Sequence, residues 1–350
     1  MPHVRFGIAF AAIVILLPVP ALAAGPASYL NKPTEWFASD EGKRIAANVL
    51  SHQAEAGGWP KNTYTTVAFA GNRKDIKPTF DNRATTDELR FLARAYAATR
   101  DATYRAAFDR GLDYVLKAQY ANGGWPQSHP PGKNYPRYIT FNDDAMVRLM
   151  RFLHEVATED RYGFVEAERR KAASTAFDKG VECILKCQVR IGGKRTAWCA
   201  QHDEVDFSPR PARSYELVSL SGFESVGVVR LLMGIEKPSA EVIDAVEGAV
   251  AWFEAAKLTG IKVEVRDDPK SPTGKDKVVV ADPKAPALWA RFYEIGTNKP
   301  IFSDRDGVKK GTLAEIGHER RNGYAWYGTW PQKLLADDYP AWKKRLAGRR

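Results

Sequence analysis

Gln53-Ala-Glu-Ala-Gly57-Gly58-Trp59-Pro60 returns 66 residues later as Gln119-Tyr-Ala-Asn-Gly123-Gly124-Trp125-Pro126. A fainter copy is Gln188-Val-Arg-Ile-Gly192-Gly193, and Leu258-Thr-Gly260 carries the ending of a fourth; the glycines at 57, 123, 192 and 260 are 66, 69 and 68 residues apart. A fixed period of this kind marks a repeated supersecondary unit. The stretch ahead of each glycine is apolar at helical spacing: Leu112, Val115 and Leu116, then Val181, Ile184 and Leu185, then Trp252, Phe253 and Leu258. Each of these helices is expected to stop at its glycine, used as a left-handed C′ residue. Second periodic helices are expected over 86–99, 143–157 and 221–233. A helix pair in every period predicts an all-α chain of helix hairpins closing into an α/α toroid. Open solenoids usually repeat at about 34–47 residues. Residues 262–280, rich in Val and punctuated by Pro and Gly, are expected as a small β excursion on that toroid.

Residues 6–20 form an apolar run behind a short basic start, and Ala21-Leu22-Ala23 reads as a cleavage site. Residues 1–23 are therefore expected to be a signal peptide, leaving 24–350 as a single exported domain, secreted or periplasmic. A membrane anchor needs roughly 20 apolar residues, and this run is shorter and broken by Pro18 and Pro20. The formal net charge is +10, and removal of Arg5 with the signal leaves +9. An exported basic chain suits an anionic partner, whether nucleic acid, membrane surface or acidic polysaccharide. Of the three cysteines, Cys183 and Cys187 lie one helical turn apart, poor geometry for a bridge, so Cys187 with Cys199 is the pairing expected in an oxidising compartment.

The loops ahead of the second helices carry the chemistry. Thr79-Phe80-Asp81-Asn82 recurs as Thr140-Phe141-Asn142-Asp143, followed by Asp144, and the third equivalent is read at Tyr215-Glu216 leading to Ser221-Gly222. In a toroid these segments share one rim, so Asp81, Asn82, Asn142, Asp143 and Glu216 should converge. One residue per loop is expected to be a helix N-cap. Two or three consecutive oxygen-bearing side chains exceed that need, and an oxygen-only set suits a hard cation, Ca²⁺ before Mg²⁺. Arg195, Arg210 and Arg213 gather near the third loop, and Arg213 there reads as a bidentate partner for a substrate carboxylate. The aromatic run from Tyr324 to Trp330 is expected to close the fold against the first repeat or to serve a sugar. His52, His129 and His202 share no spacing and read as structural.

Taken together, Gly57-Gly-Trp-Pro-Lys-Asn62, Thr79-Phe-Asp-Asn-x-Ala-Thr85, Tyr138-Ile-Thr-Phe-Asn-Asp-Asp-Ala145, Arg213-x-Tyr-Glu-Leu-x-Ser-Leu-Ser-Gly222 and Gly323-Tyr-Ala-Trp-Tyr-Gly-Thr-Trp330 resemble the family-10 pectate lyases over nearly the whole exported chain. The resemblance implies an (α/α)₃ toroid that cleaves polygalacturonate by calcium-assisted anti β-elimination. It places Arg213 as the base and Asp81 and Asn82 at the calcium site; the internal Thr-Phe repeat, which sets Asp143 where Asn82 stands, adds Asp143, with Asp144 beside it, as further ligands. Arg291 and Arg305, fourteen residues apart, are implied as carboxylate-binding arginines, with Tyr324 beside the substrate. The implied partner is an acidic polysaccharide, with no nucleic acid, no membrane and a monomeric protein. This chain has Val218 where many relatives have proline. Three other readings remain open to test: a toroid glycoside hydrolase using two carboxyl groups, a non-catalytic binder of acidic glycans, and a triterpene cyclase, to which the repeated Q-x₃-G-x-W also points.

Overall fold

The computed structural model describes residues 25–348, so the expected signal peptide lies outside the described residues. Eight helices build the body: α1 (Thr34–Ala38), α2 (Asp40–Ser51), α3 (Thr86–Thr99), α4 (Ala102–Lys117), α5 (Ala145–Thr158), α6 (Ala167–Cys187), α7 (Glu224–Met233) and α8 (Ala240–Ala255). Sequence chemistry sets their ends. Helix α3 stops where Arg100 turns left-handed (φ 59°), and Asp101 then starts α4 by accepting a bond from the Thr103 amide at 2.8 Å. Ser39 and Ser239 cap α2 and α8 in the same way.

Consecutive helices pack as hairpins α3–α4, α5–α6 and α7–α8. The inner row is α3, α5 and α7, and the outer row is α2, α4, α6 and α8. This is the (α/α)₃ toroid. Its core runs continuously from Phe37 through Leu92, Phe152 and Ile184 to Trp289 and Trp342. A smaller apolar cluster, including Phe292, Phe302 and Trp326, sits under the C-terminal segment. The expected β excursion is an antiparallel hairpin, Ile261–Asp267 paired with Lys275–Ala281.

The repeated motif is a set of clasps. The side-chain amide of Gln53 donates to the Gly57 and Ala107 carbonyls, both at 2.8 Å. Gln119 reaches Gly123 and Ala176, and Gln188 reaches Thr196 and Ala245. Each glutamine thus ties its own turn to the outer helix of the next hairpin. The indole N–H of Trp59 binds the Val49 carbonyl at 2.7 Å, and Trp125, Trp198 and Trp289 do the same for Val115, Ile184 and Phe253. These bonds satisfy carbonyls left open at helix ends.

Four expectations are corrected. The helices end five or six residues before the glycines, at Ser51, Lys117, Cys187 and Ala255. Gly57 instead closes a chain-reversing turn with φ 108°, its amide on the Ala54 carbonyl at 2.9 Å, and a Cβ there would collide with the Arg110 carbonyl. No cysteine pair forms, for Cys183, Cys187 and Cys199 are all free and buried. Side-chain capping is confined to the third rim segment: Thr85 and Asp144 precede α3 and α5 without such a bond, whereas the Ser221 hydroxyl accepts the Glu224 amide at 2.9 Å where α7 begins. Of the expected stretch from Tyr215 to Gly222, only the end from Ser221 belongs to the third rim segment, which runs on to Glu224 and leaves Tyr215 and Glu216 ahead of it, as its stitching shows. The amides of Thr79, Thr140 and Ser221 bind the carbonyls of Trp59, Trp125 and Trp198 at 3.0, 3.1 and 2.7 Å.

Candidate active site

The three stitched segments open onto one end of the inner helices. After Thr79, Thr140 and Ser221, the next amides (Phe80, Phe141 and Gly222) bind carbonyls of the following loop, Gln127, Ala200 and Arg291. Asn82, Asp143 and Glu224 consequently occupy equivalent places. In the first two turns the backbone is left-handed for two residues running: Asn82 (φ 50°) and Arg83 (71°), then Asp143 (49°) and Asp144 (62°). Non-glycine residues hold such angles only under firm restraint. The turns Asp81–Arg83 and Asn142–Asp144 touch each other, which brings Asp81 and Asp143 to one place.

Asp81 is 4 % exposed; Lys61 Nζ pairs with its Oδ2 at 2.5 Å and Gln127 donates to the same oxygen at 2.7 Å, while Oδ1 is buried without a partner. Asn82 is exposed and bonds Asn62 at 2.8 Å. Asp143 accepts from Arg291 at 3.0 Å and from the Asn142 amide at 2.8 Å; the Asn142 Oδ1 is buried and unpartnered. Asp144 turns away from that meeting point. It lies against Gly227 on α7, where any Cβ would strike its Oδ1, and pairs with Arg148 at 3.7 Å. Burial pushes the Asp144 carboxyl above the ordinary carboxylate range, even with Arg148 and Arg151 nearby.

Cations face these oxygens. Arg213 grips Glu216 through both guanidinium edges, with Nε to Oε2 at 2.9 Å, and the Tyr324 hydroxyl donates to Glu216 Oε1 at 2.8 Å. Glu216 hydrogen bonding and charge hold Arg213 well above the usual guanidinium value. Burial alone would raise the Glu216 carboxyl, but Arg213 outweighs it and holds it low. The Tyr215 ring gathers three guanidinium groups, Arg320 at 4.6 Å, Arg213 at 4.9 Å and Arg305 at 6.0 Å. Arg305 is exposed and bound to Glu319 at both oxygens, at 3.0 and 2.9 Å. Arg291 is only 6 % exposed, held between Asp143 and Glu224 and covered by Phe223 at 4.6 Å and Tyr324 at 4.8 Å.

A family model described as pectic acid lyase matches residues 53–335. The chain belongs to the pectic acid lyases. A family 10 polysaccharide lyase from Cellvibrio cellulosa is 34 % identical, with 91 % of this chain and 97 % of that one covered at a TM-score of 0.77. A mutant of that lyase in complex with trigalacturonic acid is also 34 % identical, covering 90 % and 96 % at a TM-score of 0.76. Comparison with curated proteins gave no match. Family membership sets aside the hydrolase and cyclase alternatives.

Of the residues singled out in the sequence of this lyase, Arg213, Arg291, Tyr324 and Asp143 form one connected group, and Arg305 joins it through Tyr215. Asp81 and Asn82 stand on the adjoining turn, and Asp144 is directed elsewhere. Glu224 and Arg320 were missed. Glu224 follows Ser221 as Asn82 follows Thr79, three residues on, but a longer loop behind Trp198 hides that phase. Among the described residues no three His, Cys, Asp or Glu side chains could hold a metal by themselves. The unpartnered Asp81 Oδ1 and Asn142 Oδ1, on touching turns, still offer hard oxygen donors. That set fits a calcium ion whose coordination is finished by oxygens from outside the protein.

Proposed function

We propose that this pectate lyase is an exported, monomeric enzyme that cleaves polygalacturonate by calcium-assisted anti β-elimination, with Arg213 taking the proton from C5. The observation carrying this reading is the meeting of Arg213, Arg291, Arg305 and Arg320 around Tyr215, Tyr324 and Asp143 at one rim, with Asp81 on the turn that touches that of Asp143. Arginines there recognise planar carboxylates, and the polymer supplies one on every sugar. Asp81 and Asp143, with Asn82 and Asn142 beside them, would hold the calcium. When bound, calcium withdraws charge from the C6 carboxylate and makes the C5 proton more acidic.

Arg213 removes that proton; the C5–H electron pair becomes the C4–C5 double bond as the C4–O bond breaks, and the departing oxygen takes a proton from solvent. Arg305 and Arg320 share the Tyr215 ring with Arg213, and their positive charges favour its neutral form. Glu216 acts the other way, since its bonds keep the proton on Arg213. This opposition favours a second reading for Arg213 alone, in which it stays charged and clamps the substrate carboxylate. The two readings differ in their pH dependence.

The decisive assay follows ultraviolet absorbance of the unsaturated product on polygalacturonate, with calcium and with chelator. Growth with calcium and none with chelator is expected. Reducing ends released without absorbance would mean hydrolysis, and binding without turnover would leave only a glycan binder. Arg213→Ala should abolish turnover while calcium-dependent binding persists. For export, the mature protein should begin at Ala24, as read by N-terminal mass spectrometry of the secreted or periplasmic form.

A further inference from the structure

A second cleft opens beside the rim, between the long loop after Trp59 and the loop after Trp125. Its volume is about 680 Å³, and its lining includes Lys61, Phe69, Lys77, Gln127 and Tyr135. Sites for small organic ligands span about 300–1,000 Å³. Three of its lining residues also hold Asp81: Lys61 pairs with the carboxylate, Gln127 donates to it at 2.7 Å, and the Thr79 hydroxyl receives the Asp81 amide at 3.2 Å. The cleft therefore adjoins the turn that carries Asp81.

Its walls are braced. His52 bonds the Val67 carbonyl at 2.8 Å and packs on the Phe69 ring at 5.0 Å. Asn48 binds the Thr66 carbonyl at 2.7 Å, and the Arg73 guanidinium binds the Gln53 carbonyl at 2.9 and 2.7 Å. On the opposite wall the Gln127 amide binds the Pro136 carbonyl at 2.9 Å. A braced cleft loses little ordering entropy when it is filled.

The chemistry is that of an acidic sugar. Lys77 has no hydrogen bond or ion pair within the described residues, so its ammonium is available to an anion. Phe69 and Tyr135 supply ring surface, and Ser128 and Asn72 supply polar groups for hydroxyls. Asp75 is the lone carboxylate in the lining and opposes an anionic ligand. We propose that this cleft binds a further uronate unit of the polymer, with Lys77 meeting its carboxylate and Tyr135 and Phe69 its ring. The inference rests on the polygalacturonate reading and adds a preference for longer chains.

The test compares kcat and KM on polygalacturonate with those on trigalacturonate for the native enzyme and the variants Lys77→Gln, Tyr135→Ala and Asp75→Asn. For Lys77→Gln and Tyr135→Ala, KM on the polymer should rise about tenfold, the worth of one good contact, with kcat and the trimer's KM unchanged. Asp75→Asn should move the polymer KM the opposite way, because it removes a repelling charge. A ratio of polymer to trimer KM unchanged in all three variants would overturn the proposal. If the native protein forms no unsaturated product, the function reading fails separately. Calorimetric Kd values for the two ligands then decide the cleft by the same ratio.

Discussion

Replacing Glu216 by Gln separates the two roles open to Arg213. The carboxylate is 5 % exposed at its side chain and contacts Arg213 at the backbone amide (3.1 Å), Nε (2.9 Å) and the terminal nitrogen. At an effective dielectric of about 20, unit charges about 4 Å apart attract by about 4 kcal/mol. Arg213 is 43 % exposed, so solvent screening lowers the figure to about 1–2 kcal/mol. That corresponds to about one pKa unit. Glu216 raises the Arg213 value, so its removal lowers it, and more neutral arginine is present at any given alkaline pH. The amide keeps an acceptor for the Tyr324 hydroxyl and for one guanidinium edge, which limits the loss of orientation. If Arg213 is the base, the rising limb of log(kcat/KM) against pH on polygalacturonate moves down by about one unit in Glu216→Gln, whatever happens to its height. A limb that keeps its position while kcat/KM drops would refute the base assignment and leave Arg213 as a charged clamp.

Three further outcomes follow from the same geometry. Asp143→Ala should raise the calcium concentration needed for half-maximal rate, because it removes one of the two carboxylates proposed to hold the ion; an unchanged requirement there and in Asp81→Ala would reject the calcium site. Gln53→Ala strands the buried Gly57 carbonyl and removes the bonds to the Ala107 carbonyl and from Arg110, and should cost about 1–3 kcal/mol, read from the urea midpoint at constant slope. Glu88, fully buried with one oxygen on Thr65 and the other unpartnered, has its carboxyl pushed up to about 7 by burial. Its folded value is raised, so native stability falls as pH climbs from the unfolded value of 4.5 towards 7. Glu88→Gln should flatten that fall, worth about 3 kcal/mol between pH 4.5 and 8, as measured by unfolding at both.

The helix plan was legible because the repeated residues hold neighbouring hairpins together. Gln53, Gln119 and Gln188 each bridge to a carbonyl in the next outer helix, and each Trp closes the preceding one, so the period of the motif is the period of the packing. The function of the glycines was misread for a local reason. Two-residue chain reversal and a left-handed helix end both demand positive φ, and the sequence shows only the demand. What separates them is the pair of bonds from Gly57 to Ala54 and from Ala54 to Gly58, which tertiary packing sets. The cysteines stay unpaired because their positions, not the compartment, decide their surroundings. Cys183 and Cys187 face the core from α6, and Cys199 follows Trp198 into it.

At the rim, legibility divides along the repeat itself. The first two repeats present Asp81 and Asp143 on left-handed turns of the same sequence pattern, so their oxygen donors could be read from phase alone. The third repeat has departed from that pattern: Glu224 begins a regular helix, is fully buried and is spent on Ser221 and Arg291. The anion that would have matched Asp143 has become the anchor of a cation, and Arg291 then leans back on Asp143. Arg213 lies in the loop between Trp198 and Ser221, while Arg305, Arg320 and Tyr324 come from the segment after the last hairpin; none of them has a counterpart in the earlier repeats. Their meeting at Tyr215 and Glu216 depends on how two non-repeating segments cover an open rim. No spacing encodes that: its place beside the third loop reads Arg213 as a carboxylate clamp, and only the motif resemblance makes it the base. A site whose oxygens come from the repeat and whose guanidiniums come from outside it also explains the direction of the proposed chemistry. The symmetric scaffold offers a place for a hard cation, and the asymmetric cover supplies the groups that can tell C5 and its carboxylate from the rest of the sugar.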